Sequence, residues 1–348
     1  MTNFRQIPIL IIAMTIALFS CSKEDIQNVQ NSEATEILTK NFKSSIIYPS
    51  IIDNRLHFNN FDDFEVFMRG ISSEQPNYIE ELNNSYGFLS YDSVLNYDDE
   101  FLDLPPLDFN NSADFIIDDP YLAAVLNHNR EISVGNLICR VENEYVFVYV
   151  DGYFNETSEF KNSGKTIEYN TAEVINDKLI AYKPQIDGEY QVKAWVAGYG
   201  FRNNHNNDYF ASNSRRMKST HWQTNVFFHK SAGMKTVNYK KKKRKDKWKK
   251  TKADEIRVWG EVSVEITPSG APTVTQSYKY DVDKTNKKKA VHTIFTYTGI
   301  GISVDGNSIT GISGAPGSSV KILSSTYSNH YDKDAGSFKT RNNKTWPW

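Results

Sequence analysis

The feature that most constrains the fold is a regular alternation of apolar and polar residues in the second half of the chain. Between residues 256 and 266, isoleucine or valine recurs at every second position, with Gly260 as the exception. A period of two places these side chains on one face of a β-strand and the polar ones on the other. The apolar face carries Ile256, Val258, Val262, Val264 and Ile266, and the other face carries Arg257, Trp259, Glu261, Ser263 and Glu265.

Short segments of the same kind recur across residues 189–348. Glycine, proline and asparagine separate them, and Asp305-Gly306 is a strong hairpin signal. We therefore predict a mainly antiparallel, β-sandwich-like carboxy-terminal domain over residues 189–348. Its further predicted strands are residues 191–197, 222–229, 273–282, 291–298, 300–304, 308–312 and 320–327.

Residues 51–188 mix helical and strand patterns. One helix is predicted over residues 61–69 with Asn60 as its N-cap, one after Pro76, and one from Asp119 and Pro120. Residues 135–141 and 145–150 alternate like a hairpin, and the acidic stretch of residues 92–119 is predicted to be a surface loop. The fold class predicted for the whole chain is therefore α+β, with a small α+β unit over residues 51–188.

Residues 1–20 have the pattern of a secretory signal peptide. Arg5 precedes an apolar run over residues 7–19, which is shorter than the roughly 20 residues that a membrane span needs. Leu18-Phe19-Ser20-Cys21 resembles the bacterial lipobox, which implies lipidation of Cys21 after cleavage. Two acyl chains suffice for stable anchoring, so we expect a membrane-bound protein with residues 21–50 as a polar tether.

Lys23, Glu24 and Asp25 follow the predicted lipidation site. A lysine followed by two acids at this place resembles the surface-export signal of Bacteroidota lipoproteins, which implies the outer membrane and the cell surface. A plain solvated tether is the alternative interpretation of the same three residues.

Formal charge differs strongly between the two halves of the chain. Residues 51–200 contain 27 acids and 9 bases, whereas residues 201–348 contain 11 acids and 27 bases. Either the two halves dock on each other, or each faces a different partner.

The most basic segment is residues 240–252, where ten of thirteen positions are lysine or arginine. Such a run repels itself and is solvated, which favours a mobile loop between strands. The alternative is a contact surface for acidic glycans or lipopolysaccharide phosphates, whereas nucleic acid is disfavoured because no nucleic-acid-binding signature accompanies the run. The candidate polyanion contacts are Lys240, Lys241, Lys242, Lys243, Arg244, Lys245, Lys247, Trp248, Lys249, Lys250 and Lys252.

Motifs that would indicate catalysis or a cofactor are not found in the sequence. The histidines form no metal-ligand motif, and Asp332-Lys333-Asp334-Ala335-Gly336 departs from a calcium loop because its glycine comes one position early. Cys139 is predicted to be a small buried residue because it alternates with apolar neighbours. A glycosidase pair remains conceivable among the acids of the predicted loop, which are Asp98, Asp99, Glu100, Asp103 and Asp108.

Two groups of residues resemble an uncharacterised family of Bacteroidota lipoproteins, a domain of unknown function, over about residues 50–265. The first group is residues 119–123, 126–127 and 131–135, and the second is residues 216–218, Trp222, Asn225 and residues 231–236. The resemblance implies localisation and architecture, but no activity. We expect a protein that binds a glycan or another envelope component, with a hydrolase acting on envelope or host polymers, or a structural protein, as the alternatives.

Overall fold

The computed structural model describes residues 48–73, 88–96, 117–142, 145–168, 171–184, 201–211, 214–241, 248–267, 272–296, 300–313 and 319–345. All of these residues belong to one compact unit, Tyr48–Trp348. The predicted lipidation and export residues lie outside the described residues; they are Cys21, Lys23, Glu24 and Asp25. The same is true of the predicted helix after Pro76 and of the predicted strand of residues 191–197. No helix among the described residues is long and apolar enough to cross a membrane.

Strands dominate the described residues, and helices are few, which confirms the sheet-rich character predicted from the alternating pattern. The helices are α1 (Phe61–Ser73), α2 (Tyr91–Asn96), α3 (Pro120–Val125) and α4 (Asn155–Asn162). The strands are β1 (Ser50–Ile52), β2 (Arg55–Phe58), β3 (Glu131–Val134), β4 (Leu137–Val141), β5 (Val146–Val150), β6 (Thr171–Asn176), β7 (Leu179–Lys183), β8 (Phe201–Tyr209), β9 (Arg215–Val226), β10 (His229–Lys241), β11 (Trp248–Lys250), β12 (Ala253–Thr267), β13 (Val274–Lys287), β14 (Lys289–Thr296), β15 (Gly301–Asp305), β16 (Ser308–Ser313), β17 (Ser319–Ile322), β18 (Tyr327–Asp334) and β19 (Ser337–Thr345).

Sheet 1 contains seven strands in the order β1-β2-β3-β4-β5-β7-β6. Its pairings are antiparallel except for β2 with β3, which are parallel. The hairpin predicted for residues 135–150 is confirmed as β4 and β5, where Cys139 lies opposite Val148. Helix α4 covers one face of this sheet because Phe160 packs edge-on against the rings of Tyr145 and Phe147.

Helix α1 begins where the sequence predicts. The side chain of Asn60 accepts the backbone N–H of Asp63 at 2.8 Å, which satisfies one of the N–H groups left over at a helix start. The helix runs past its predicted end at Arg69, through Gly70, to Ser73. The fully buried side chain of Ile71 lies in this extra turn, so packing outweighs the preference of glycine for a helix end.

Sheets 2 and 3 are built from the long strands of the second half. Sheet 2 has the order β11-β10-β9-β8, with β14 also paired to β10, and sheet 3 has the order β13-β12-β18-β19, with β17 also paired to β12. The alternating segment of residues 256–266 is confirmed as part of β12, the central strand of sheet 3. One apolar cluster joins the two sheets, and it contains Ala232, Met234, Ala253, Ile256, Val258, Val262, Val264, Tyr280, Ala290, Ile294, Val320 and Ile322.

The hairpin predicted at Asp305-Gly306 is confirmed as β15 and β16. Gly306 has a φ of +56°, a left-handed conformation that this turn requires. The hairpin lies against sheet 1, because the Asn136 amide donates to the Gly306 carbonyl at 2.9 Å and the Ile309 N–H donates to the Asp177 carbonyl at 2.7 Å.

Three boundary predictions are wrong. The segment 222–229 is not one strand, because a turn at Phe227 and Phe228 separates β9 from β10, and the segment 320–327 is likewise divided between β17 and β18. Both phenylalanines are almost completely buried, so the apolar pattern continues through the turn and hides it. Residues 92–96 belong to α2 instead of the predicted acidic loop, and residues 97–116 lie outside the described residues.

Candidate functional site

The described part of the lysine-rich run forms the two arms of a β-hairpin, not a loop. Lys240 and Lys241 end β10, and Trp248, Lys249 and Lys250 form β11. In the antiparallel register, Lys241 lies opposite Trp248 and Lys240 lies opposite Lys249. The other candidate contacts between these two strands in sequence lie outside the described residues, and they are Lys242, Lys243, Arg244, Lys245 and Lys247. Lys252 lies just before β12.

A group of aromatic rings and one guanidinium lies at the base of this hairpin. The centre of the Arg216 guanidinium is 4.5 Å from the ring centre of Trp248 and 4.9 Å from that of Tyr239. Tyr209, on the neighbouring strand β8, packs against Trp248 with ring centres 5.7 Å apart and leaves 45% of its own surface exposed. These contacts hold a cation against aromatic faces, an attractive arrangement because ring faces carry partial negative charge.

We call this region the basic hairpin surface and define it by Tyr209, Arg216, Lys240, Lys241, Trp248 and Lys249. Lys240 and Lys249 are exposed, whereas Lys241, Trp248 and Arg216 are half-buried. Tyr209 and Arg216 were missed by the sequence analysis because they come from strands β8 and β9, which are distant along the chain from the lysine-rich run. Only the strand pairing brings the three segments together.

Two lysines of sheet 2 are paired with acids of the first half of the chain. Lys250 contacts Asp92 at 2.9 Å and Lys235 contacts Asp118 at 2.8 Å. Burial would raise the pKa of Asp118, but the ammonium groups of Lys235 and Lys218 outweigh it and lower the pKa to about 2. The Asp92 carboxyl is half-buried, and although desolvation would raise its pKa, Lys250 holds that pKa well below the usual range. Lys250 is therefore an internal ion-pair partner.

Asp119 fastens helix α3 to strand β10. Its Oδ1 accepts the backbone N–H groups of Tyr121 and Leu122 at 2.8 and 3.1 Å, which confirms the predicted N-cap. Its Oδ2 accepts from His229 Nε2 at 2.7 Å and from the Ser231 hydroxyl at 2.5 Å. Burial raises the pKa of Asp119, but these hydrogen bonds outweigh it, so the carboxylate stays ionised.

The Asp119, His229 and Ser231 side chains do not have the order of a catalytic triad. In a triad the serine hydroxyl donates to the histidine, which in turn donates to the carboxylate. Here both the hydroxyl and the imidazole contact the same carboxylate oxygen, and all three residues are buried.

Cys139 is also fully buried, as predicted, and burial raises the pKa of its thiol, which disfavours the nucleophilic thiolate.

A small cavity lies beside this junction. It has a volume of about 10 Å³, room for about one water molecule. Burial lowers the pKa of Lys230 in its wall to about 8. A substrate would not fit beside this lysine without movement of the lining residues, which are Phe64, Glu65, Met68, Arg69, Phe228, His229, Lys230 and Phe295.

A buried polar layer joins sheets 2 and 3 away from their apolar cluster. Strand β18 turns Ser328, His330, Asp332 and Asp334 inward, and all four are buried. The Ser328 hydroxyl contacts His330 Nε2 at 2.6 Å and also contacts the ring of His221. The histidine ring is held from its other side by the Thr236 hydroxyl, which lies 2.8 Å from His330 Nδ1.

The acids of the calcium-like segment belong to this layer and to a tight turn. Asp334 accepts from the Asn238 amide at 2.8 Å and pairs with Arg215. Ala335 and Gly336 have φ of +51° and +77° and form the turn of the β18–β19 hairpin. Within the described residues, no group of three or more histidine, cysteine, aspartate or glutamate side chains is arranged to hold a metal ion.

The candidate glycosidase carboxylates Asp98, Asp99, Glu100, Asp103 and Asp108 lie outside the described residues, so that alternative stays a prediction. Part of the predicted polyanion site lies within the described residues, and its contacts and distances are those of the basic hairpin surface. Comparisons of the chain with protein-family models, with curated proteins and with solved structures found no match.

Proposed function

We propose that this chain is an outer-membrane lipoprotein, displayed on the cell surface, that binds an acidic glycan or another envelope polyanion through the basic hairpin surface. The observation that carries the proposal is the contact of Arg216 with Trp248 beside the exposed ring of Tyr209, at the base of the lysine-rich hairpin. The lipobox-like Cys21 and the Lys23-Glu24-Asp25 triplet support the anchored, exported part of the proposal.

The chemistry of this surface suits a sugar that carries sulfate, carboxylate or phosphate groups. Guanidinium and ammonium groups form charge-assisted hydrogen bonds with such anions. An exposed tyrosine ring offers an apolar face and a hydroxyl to the sugar itself. Arg216 is already oriented by its contacts with two rings, so binding would cost little further ordering of its side chain.

We also propose the finer architecture predicted from the sequence. In that arrangement a small α+β unit, residues 51–188, precedes a β-sandwich-like domain, residues 189–348. The apolar cluster between sheets 2 and 3 supports the sandwich, because two sheets that bury their inner faces against each other share such a core.

A second candidate, a structural role, is favoured by the ion pairs between the acidic and basic halves. Lys250 with Asp92 and Lys235 with Asp118 are contacts within the chain, and they use part of the basic charge. If the role of the basic segment were only to form these two ion pairs, replacing Lys240, Lys241 and Lys249, which belong to neither pair, would not change polyanion binding. The following experiment therefore separates the two candidates.

Replacing Lys240, Lys241 and Lys249 by Gln in the full-length chain, purified in mild detergent, is expected to weaken binding to heparin and to lipopolysaccharide. Each lysine near an anionic surface contributes about 1 kcal/mol, so three replacements should weaken binding on the order of 100-fold. Wild-type affinity should also fall steeply with salt, because screening weakens contacts between exposed charges. Surface plasmon resonance over a salt series measures both effects.

A control is the replacement of Lys284, Lys321 and Lys333 by Gln, since these lysines are exposed but lie outside the hairpin. This variant changes net charge equally and should bind within about twofold of the wild type. Equal losses in both variants would reduce the effect to overall charge, and unchanged binding in the hairpin variant would contradict the proposal.

The predicted location can be tested on intact producing cells with external trypsin. The wild type should be cleaved, while replacement of Lys23, Glu24 and Asp25 by Ala should protect the chain without removing its lipid. Immunoblotting detects cleavage, and metabolic labelling with a fatty acid verifies that Cys21 remains lipidated. A periplasmic protein must stay intact in the same cells, and protection of the wild type would contradict surface display.

A further inference from the structure

The outward face of sheet 3 presents a second surface of different chemistry. On β12 the inward side chains belong to the apolar cluster, so Arg257, Trp259 and Glu261 point outward. In the pairing register, Arg257 lies opposite Tyr331 and Trp259 lies opposite Asn329 of β18. These residues therefore share one face with their strand neighbours.

Three aromatic rings follow this face from β19 to β12. Phe338 of β19 is 65% exposed and lies beside Tyr331, with ring centres 6.2 Å apart and planes inclined by 26°. Next on β12, the Arg257 guanidinium lies 4.9 Å from the ring centre of Trp259. We call Trp259, Tyr331, Phe338 and Arg257 the aromatic face.

The orientation of Arg257 is fixed from the neighbouring edge strand. Its Nε donates to Asp281 Oδ1 at 2.7 Å, and a second contact joins the same two groups. Asp281 lies opposite Trp259 on β13. The rings are thus bordered by a paired guanidinium and carboxylate that present further acceptors and donors toward solvent.

The charge of this face distinguishes it from the basic hairpin surface. Its outward positions on β12, β13 and β18 carry the acids Glu255, Glu261, Glu265, Asp281 and Asp283 and the bases Arg257, Lys279 and Lys333. A polyanion would meet a surface with more acids than bases, whereas a neutral polyhydroxylated chain would meet hydrogen-bonding groups without repulsion. The exposed ring of Phe338 and the half-buried rings of Tyr331 and Trp259 supply apolar area of the kind that marks ligand-binding surfaces.

We propose that the aromatic face binds a neutral polysaccharide chain lying across β19, β18 and β12. The rings of Tyr331, Phe338 and Trp259 contact the apolar faces of successive sugars, and Arg257, Asp281 and Asn329 hydrogen-bond to their hydroxyls. This binding goes beyond the polyanion binding proposed for the hairpin, because it uses another sheet and does not depend on charge attraction.

Affinity electrophoresis of the full-length chain in mild detergent, through gels containing neutral glucan, mannan or xylan, tests the proposal. Wild-type migration should be retarded by at least one of the three polymers. The double variant Tyr331→Ala with Phe338→Ala should weaken retardation about tenfold or more, while high salt should leave it unchanged. The control, Tyr48→Ala with Tyr153→Ala, removes two exposed rings that lie outside the aromatic face and should migrate like the wild type.

The outcomes of this test and of the hairpin test are independent. The Tyr331→Ala and Phe338→Ala variant should keep salt-dependent heparin binding, and the hairpin lysine variant should keep binding to the neutral polymer. Failure of all three polymers to retard the wild type, or equal retardation of wild type and double variant, would overturn the proposal. Loss of a concentration-dependent dimer in the double variant would overturn it as well, by assigning the face to a second copy of the chain.

Discussion

The space between sheets 2 and 3 is filled in two different ways. Where β10 and β14 face β12, β13 and β17, the contact is apolar, with Met234, Ile256 and Val258 among its members. Where β8, β9 and the second half of β10 face β18 and β19, the contact is polar, and His330 and Asp332 are fully buried in it. The same pair of sheets therefore uses both non-directional burial and specific hydrogen bonds.

The difference predicts different sensitivities. Apolar contacts stabilise in proportion to buried area and tolerate changes that conserve volume. Buried polar groups need their partners, because a group left without one costs its full desolvation free energy. We therefore expect the apolar half to respond to changes of volume, and the polar half to respond to loss of a partner and to pH.

Within the polar half, the largest effect is expected from Asp334→Ala. This change leaves Arg215, whose side chain is only 20% exposed, without its carboxylate, and removes an acceptor from Asn238. Breaking a largely buried ion pair from one side should lower the free energy of unfolding by about 3 kcal/mol. Urea denaturation followed by tryptophan fluorescence measures the loss.

The control is Asp281→Ala, which breaks the pair with Arg257 on the exposed side of sheet 3. Exposed ion pairs contribute little, so this loss should stay below about 1 kcal/mol. Similar losses for the two variants would show that the polar layer is no more demanding than the surface, and the comparison between the two halves would fail.

The apolar and polar contacts between sheets 2 and 3 also differ in how well the sequence predicts their strands. The apolar half was predictable because strict alternation marks β12, and outside this pair of sheets Asp305-Gly306 marks a local turn. Strand β8 was missed, because asparagine, histidine and aspartate suggest a loop unless an opposite sheet supplies their partners. Asp208, for example, pairs with Arg341 of β19, a contact that spans most of the second half of the chain.

The candidate site was predictable only in part, for the same reason. The lysine-rich run is evident in the sequence, but its pairing of Lys250 with Asp92 depends on how the acidic half folds onto sheet 2. The aromatic contacts of Trp248 come from β8 and β9, and no local pattern indicates them. Periodicity identifies strands, whereas the choice of strand neighbours depends on contacts distant along the chain.

A smaller and pH-dependent effect is expected from Asp332→Asn. Both carboxylate oxygens of Asp332 are buried without a hydrogen-bond partner among the described residues. Burial, opposed by Arg215 and reinforced by Asp254, raises the pKa of Asp332 to about 7. The folded chain therefore holds this proton where the unfolded chain has released it. The stability from this group is complete below the unfolded pKa and is lost as the pH rises toward 7.

Relative to the wild type, the Asn variant should become more stable by about 2 kcal/mol between pH 5 and pH 7. The histidines of the layer act with the opposite sign, because burial lowers the pKa of His221 to about 3 and stability from this group is lost as the pH falls below its unfolded value. Subtracting the two urea series at each pH cancels that shared contribution and isolates Asp332.

In the apolar half, Ile256→Ala should cost about 2–5 kcal/mol at both pH values, since a cavity does not titrate. A difference between Asp332→Asn and the wild type that is as flat with pH as that of Ile256→Ala would mean that Asp332 is paired and ionised in the folded chain. The polar half would then be electrostatically satisfied throughout, and its distinction from the apolar half would be one of composition alone.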